Sequence, residues 1–236
     1  MSIKKDSKVI DSPQIFDGFR RVNAVTKQSL IVGDYIVWDI ETDTSGGFGL
    51  DPRNGGIVSV AIGLVKNFVI QDGFFLNVDD SLTEKDLLIG VQNILAAAPD
   101  YLPLVGWNSS FFDAPFMFYR ANVNELYESG MVLSHNPLFR CKYEPIPPFV
   151  GGYDHVVCGL RGVDITQTYY TREWAGSNGL KSASLDAVAN HLGFTGIKPD
   201  RTKIHELSPQ ELEDYNLSDI MRTHALTRYW IEKGLK

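Results

Sequence analysis

The sequence predicts one α/β domain built on a mixed sheet. Three observations carry this. Apolar, β-branched runs bounded by turn residues fill the first part of the chain, helical patterns interleave with shorter apolar runs afterwards, and no internal repeat, low-complexity tract or convincing linker divides it. A length of 236 residues suits one large domain or two small ones, with room for a sizeable core.

Residues 1 to 33 are weakly patterned and read as an N-terminal arm, followed by a single domain over 34–236. "YIVWDIE" is the first strand, and it leads into a glycine-rich turn, "TDTSGGFGLDPRNGG". "IVSVAIGLV" (Ile57 to Val65) is the second strand, and Lys66-Asn67 turns it into "FVIQDGFFL" as a hairpin. In "SLTEKDLLIGVQNILAAA" the residues Leu87, Leu88, Val91, Ile94 and Leu95 recur at helical spacing until Pro99. "LPLVGWN" is a short strand, and "FFDAPFMFYRAN" and "VNELYESGM" read as helical. The pattern breaks over about 134–162, where "EPIPPFVGGYD" suggests an inserted loop or loose hairpin of the kind that often carries function. "GVDI" (Gly162 to Ile165) is the last strand. "SASLDAVANHLGF" is a helix with Leu185, Val188 and Leu192 on one face and Gly193 suited to its C-terminal cap. Ser208-Pro209-Gln210-Glu211 is a capping box with proline at the first helical position, opening a final helix that runs nearly to the end.

Composition narrows the function classes. No apolar run approaches the roughly 18 residues of a membrane span. The N-terminus lacks the apolar core of a secretory signal. Two cysteines, Cys141 and Cys158, are too few for a disulfide framework, so a reducing cytoplasm is the simplest compartment. The formal net charge of −7 disfavours a charge-driven duplex binder but is compatible with an enzyme that handles nucleic acid locally.

Chemistry gathers on acidic residues. Asp39 and Glu41 lie two apart on the first strand and so share a face, with Ile40 on the other. Two close carboxylates raise each other's pKa unless a cation neutralises them. The pair is therefore either a solvated strand end or half of a site for a hard divalent ion. Asn108 and Asp113 follow an apolar strand near the start of a helix, where a carboxylate also serves the helix dipole. Tyr215 and Asp219 lie four apart on the final helix and share a face, although taken alone a helical tyrosine more often serves the core and an aspartate one turn later is more often solvated. His224 falls near an apolar stripe and reads as a satisfied core histidine, and Asp164 reads as a capping or turn residue.

Taken in order, these motifs resemble the DnaQ-like DEDD superfamily of 3′–5′ exonucleases. Asp39-Ile40-Glu41 matches its D-x-E motif, Asn108 with Phe112-Asp113 its second motif, and Tyr215-Asn-Leu-Ser-Asp219 its Y-x-x-x-D motif. The tyrosine form marks the DEDDy subgroup; the histidine form would need His where Asp214 stands. The flanks, including "WDIET", "DPRNGGIVSVAIG" and "GVDITQTYY…KSASLDAVANHLG…DYNLSDI", are most similar to the exonuclease domains of family B DNA polymerases, over about residues 34 to 233.

The resemblance implies a ribonuclease H-like fold, a mixed five-stranded sheet flanked by helices. It also implies two-metal hydrolysis of phosphodiester bonds with two Mg²⁺ or Mn²⁺ ions. Asp39, Glu41, Asp113 and Asp219 would be the ligands: Asp39 bridging the ions, Glu41 and Asp219 on the nucleophile side, and Asp113 acting mainly through water. Tyr215 would orient the attacking water, because a phenol is a poor base at neutral pH. Thr42, Asn108, Phe112 and Lys181 are the expected substrate contacts. Phe112 suits core packing as well, and the basic cluster Lys198, Arg201 and Lys203 suits either phosphates or a solvated face. The expected substrate is a single-stranded DNA 3′ end, with RNA ends and a non-catalytic binding module as alternatives. No polymerase palm follows the third motif. The expectation is therefore a free-standing exonuclease, or a proofreading subunit acting in trans on a DNA polymerase or another replication or repair protein.

Overall fold

The computed structural model describes residues 3–4, 33–46, 51–79, 81–126, 155–158, 160–167 and 174–233. Nearly all of the expected arm, residues 47–50 of the glycine-rich turn, and residues 127–154 lie outside the described residues.

Near-continuous apolar runs, buried on both faces, form the central strands of the fold. The described strands are β1 (Ile3–Lys4), β2 (Tyr35–Thr42), β3 (Ile57–Lys66), β4 (Val69–Asn77), β5 (Leu104–Gly106), β6 (His155–Val157) and β7 (Leu160–Asp164). They form one sheet in the order β1-β4-β3-β2-β5-β7-β6. Its centre is the mixed five-stranded sheet β4-β3-β2-β5-β7: β3 runs antiparallel to both neighbours, while β2, β5 and β7 run parallel. Two short strands extend the edges, β1 parallel to β4 and β6 antiparallel to β7. The β3–β4 hairpin turns at Asn67 and Phe68, whose φ values of 50° and 60° give the left-handed turn needed there.

Helices cover both faces, completing a ribonuclease H-like fold. On one face Ile36, Trp38 and Ile40 of β2 pack in a cluster with Leu87, Val91 and Ile94 of α1 (Glu84–Ala96) and with Phe116 and Met117 of α2 (Asp113–Val123). On the other, Tyr35 and Val37 pack in a second cluster with Val188 of α3 (Leu185–His191) and with Ile220, Leu226 and Trp230 of α4 (Pro209–Glu232). The period of two thus sends neighbouring residues of β2 into opposite layers.

Local signals set the helix boundaries. Ser208 and Glu211 complete the capping box of α4, Thr83 and Asp86 do the same for α1, and Ser184 caps α3 through the Ala187 N–H. Gly193, at φ +82°, follows the end of α3 in the left-handed conformation that favours glycine. The helix expected over "VNELYESGM" is absent from its described part: α2 ends at Val123, Asn124 caps it, and Glu125 takes φ 59°. The Asn124 side chain bonds instead to Glu84 (3.0 Å) and to the Arg120 carbonyl (2.8 Å), which stops the helix. Glu84 also accepts from the Ile57 N–H (2.8 Å) and pairs with Arg120 (2.6 Å), tying β3, α1 and α2 together. Among the described residues no helix is long and apolar enough to cross a membrane.

Candidate functional site

Asp39 and Glu41 belong to the odd-numbered set of β2 and share the α3/α4 face with Tyr35 and Val37. Next to them the pairing of β2 with β3 shifts register between Glu41 and Thr42, an irregularity of the kind that re-aims side chains beside sites. Helix α4 crosses β2 and β3, anchored in the core by Tyr215, Ile220, Leu226 and Trp230. Asp219 projects from it, buried, toward β2. One carboxylate oxygen from each of Asp39, Glu41 and Asp219 lies within 4.8 Å of the other two, although 178 residues (219 − 41) separate Asp219 from Glu41.

Asp113 reaches the same cleft from the first residue of α2, and its Oδ1 accepts the Ile40 N–H at 3.2 Å. The turn that delivers it is tightly specified. Asn108 adopts φ 61°, and Gly106 packs so close to Ser109 that a Cβ on it would fall 2.5 Å from the Ser109 Cβ. Asp164, fully buried at the end of β7, accepts from the Asn108 N–H (2.9 Å), the Ser110 N–H (3.0 Å), the Ser110 hydroxyl (2.5 Å) and the Thr166 N–H (3.0 Å). A buried carboxylate that accepts four hydrogen bonds is a turn organiser, as its place in the sequence suggested.

The carboxylates strain one another. Burial first, then the charges of Asp113, Glu41 and Asp219, hold the Asp39 carboxyl well above the usual carboxylate range. Burial and then Asp219 and Asp113 do the same to Glu41. Burial is the main reason Asp113 is pushed up to about 7, opposed by its bond from Ile40. Asp219 is also raised by burial, with the Arg222 guanidinium opposing. Burial and the neighbouring Glu41 and Asp219 raise the Tyr215 phenol, which therefore keeps its proton. Three hard oxygen donors this close suit a divalent cation, which would remove the electrostatic cost that the protein alone carries.

These groups line a cleft of about 650 Å³ with Tyr215 on the same wall as Asp219. The four expected substrate contacts, Thr42, Asn108, Phe112 and Lys181, also line it, and Phe112 packs against Phe116 with ring centroids 5.4 Å apart. Of the basic cluster, Arg201 lines the cleft, with its side chain 58% exposed and one Nη 3.2 Å from Asp186. Lys203 pairs instead with Glu206 at 3.2 Å. His224 stands away from the acidic cluster, its Nδ1 2.7 Å from the Tyr35 hydroxyl, as a core histidine should.

Two residues escaped the sequence reading. Arg222 is buried against Asp219, and Asp186 on α3 holds Arg222 from the other side at 2.6 Å. The spacing of Arg222 three residues after Asp219 on one helix is a signal that could have found the first. Nothing local marks the second.

No protein-family model matches this chain, and no curated protein matches it by sequence. Among solved structures, its fold is similar to that of the family B DNA polymerase from the hyperthermophilic archaeon Pyrobaculum calidifontis, with a TM-score of 0.57 and 21% sequence identity. The similarity covers 85% of this chain and 25% of the polymerase chain, so the chain spans about a quarter of the length of that polymerase. At this identity the likeness speaks for the fold.

Proposed function

We propose that the chain is a metal-dependent 3′–5′ exonuclease of the DEDDy type that hydrolyses phosphodiester bonds at the 3′ end of single-stranded DNA and releases nucleoside 5′-monophosphates. The observation that carries this reading is the convergence of Asp39, Glu41 and Asp219 within 4.8 Å at the floor of an open cleft. Carboxylates from a strand and a distant helix are costly to bring together unless a cation joins them.

Asp39, Glu41 and Asp219 would hold the ions, and Asp113, in the same cleft, would add a further carboxylate to the set. Two Mg²⁺ or Mn²⁺ ions, when bound, lower the pKa of the attacking water and neutralise charge on the phosphate. Tyr215, protonated and on the same wall, is suited to donate a hydrogen bond that orients that water rather than to remove its proton. The Phe112 ring can stack on a base without regard to sequence; Phe112 and Asn108, which line the cleft, would flank the single strand, with Thr42 near the 3′-terminal nucleotide and Lys181 toward a phosphate.

The test is digestion of 5′-labelled DNA and RNA oligonucleotides with Mg²⁺ or Mn²⁺. The expected result is stepwise shortening of the DNA strand from its 3′ end and no shortening with Asp39→Ala. Preferential trimming of RNA would reassign the substrate to exoribonuclease chemistry. Hydrolysis that survives Asp39→Ala, or binding without hydrolysis by the unmodified protein, overturns the proposal.

A further inference from the structure

A buried arginine stands directly behind the proposed metal ligands. The Arg222 side chain is 3% exposed; one Nη donates to Oδ1 of Asp219, and the other donates to Oδ1 of Asp186 at 2.6 Å. Asp186 in turn faces Arg201 at 3.2 Å and Lys198 at 3.9 Å through its other oxygen. An ordered chain of alternating charge thus leads from Asp219 through Arg222 and Asp186 to the cleft wall at Arg201.

The protein closes tightly over this guanidinium. A Cβ on Gly196 would fall 2.5 Å from the Arg222 Nε and 2.6 Å from the Ser218 hydroxyl, so the loop backbone lies against the side chain. The Ile197 N–H bonds the same Ser218 hydroxyl at 3.1 Å and holds the loop there. Arg222 therefore has little room to swing away when an ion arrives. One Nη engages Oδ1 of Asp219, so an arriving ion meets a carboxylate that already shares its charge with a guanidinium.

We propose that Arg222 is a positioning residue and built-in counter-cation: it fixes Asp219 and holds down the site's affinity for divalent ions, so that full loading depends on the negative charge of an incoming phosphodiester. This rests on the reading of Asp39, Glu41 and Asp219 as metal ligands. A fixed positive charge one carboxylate away opposes a dication, and even with the screening of bulk water a unit charge about 6 Å from a dication changes its affinity by roughly tenfold. Asp186 offsets part of that charge, so the two residues have opposite effects.

The experiment is titration of the full chain with Mn²⁺, free ion being counted by electron paramagnetic resonance, for the unmodified protein, R222M, R222K and D186N. The expected order is tighter binding for R222M by roughly tenfold, little change for R222K, and weaker binding for D186N. A merely structural role predicts weaker binding in every variant, because each loosens Asp219. Equal or weaker binding by R222M overturns the proposal. If R222M does not fold, unchanged or tighter binding by D186N overturns it. Absence of Mn²⁺ binding by the unmodified protein overturns the metal reading itself, an outcome distinct from failure of the Arg222 role alone.

Discussion

Replacing Asp39 with Asn should abolish hydrolysis and at the same time stabilise the metal-free protein. One carboxylate oxygen from each of Asp39, Glu41 and Asp219 lies within 4.8 Å of the other two. At an effective dielectric near 20, two unit charges at that separation repel by about 3.5 kcal/mol. Asp39 has two such partners and also feels Asp113. Partial exposure of Asp39 and Glu41, and protonation within the cluster, reduce the sum, so the substitution should release about 2 kcal/mol. For a domain of this size that corresponds to a rise in Tm of about 4–8 °C.

The pH dependence follows from the direction of the shifts. These acids have folded-state pKa values raised above their unfolded values, with Asp113 at about 7 against an ordinary 3.8. Below the unfolded value the carboxyls are neutral in both states, and the stability is fully present. It is lost as pH rises through the folded values. Thermal unfolding in chelator at pH 4.5 and pH 8 is the assay. Asp39→Asn should exceed the unmodified protein clearly at pH 8, with the gap closing toward pH 4.5. Added Mn²⁺ should reverse the order at pH 8, since only the unmodified protein keeps the full donor set. A variant no more stable than the parent at pH 8 in chelator, or an equal offset at both pH values, would refute the argument that like charge is what burdens this site.

Tyr215→Phe should lower kcat on the order of 10²-fold, the cost of a misoriented reactant, while Mn²⁺ affinity measured by titration stays within about twofold; loss of metal binding in this variant would rule out the water-orienting role. Asp164→Ala removes the acceptor for four hydrogen bonds around Asn108 and Ser110 and should cost about 3 kcal/mol in denaturant unfolding, together with a drop in kcat because Asp113 and Asn108 lose their anchor. Wild-type stability in that variant would refute the assignment of Asp164 as the organiser of the turn.

Much of this molecule could be read from short-range pattern. The alternation in "YIVWDIET" put Asp39 and Glu41 on one face because the pleat has a period of two, and the structure keeps them there. The capping box at Ser208 and Glu211 fixed the start of α4, and with it the phase that puts Tyr215 and Asp219 on one side. Pattern failed where a long-range contact outbid local preference. At Asn124 a bond to Glu84, 40 residues away, ends α2 where helical spacing would have continued. The two short edge strands were equally hard to see, because a pairing of two or three residues leaves no periodic trace.

What only tertiary structure decided is which charges meet. Asp39, Glu41 and Asp219 read individually as a strand end and a solvated helix residue; their separation of at most 4.8 Å exists because α4 crosses β2 at one height. Arg222 and Asp186 escaped the sequence reading because packing of α3 against α4 is what brings them together behind Asp219, with Arg222 buried and Asp186 half-buried. Sequence determines the face on which each side chain leaves its own element, since that follows from backbone periodicity. The distance between side chains on different elements is set by how the layers stack, and the electrostatics of the site depends on that distance.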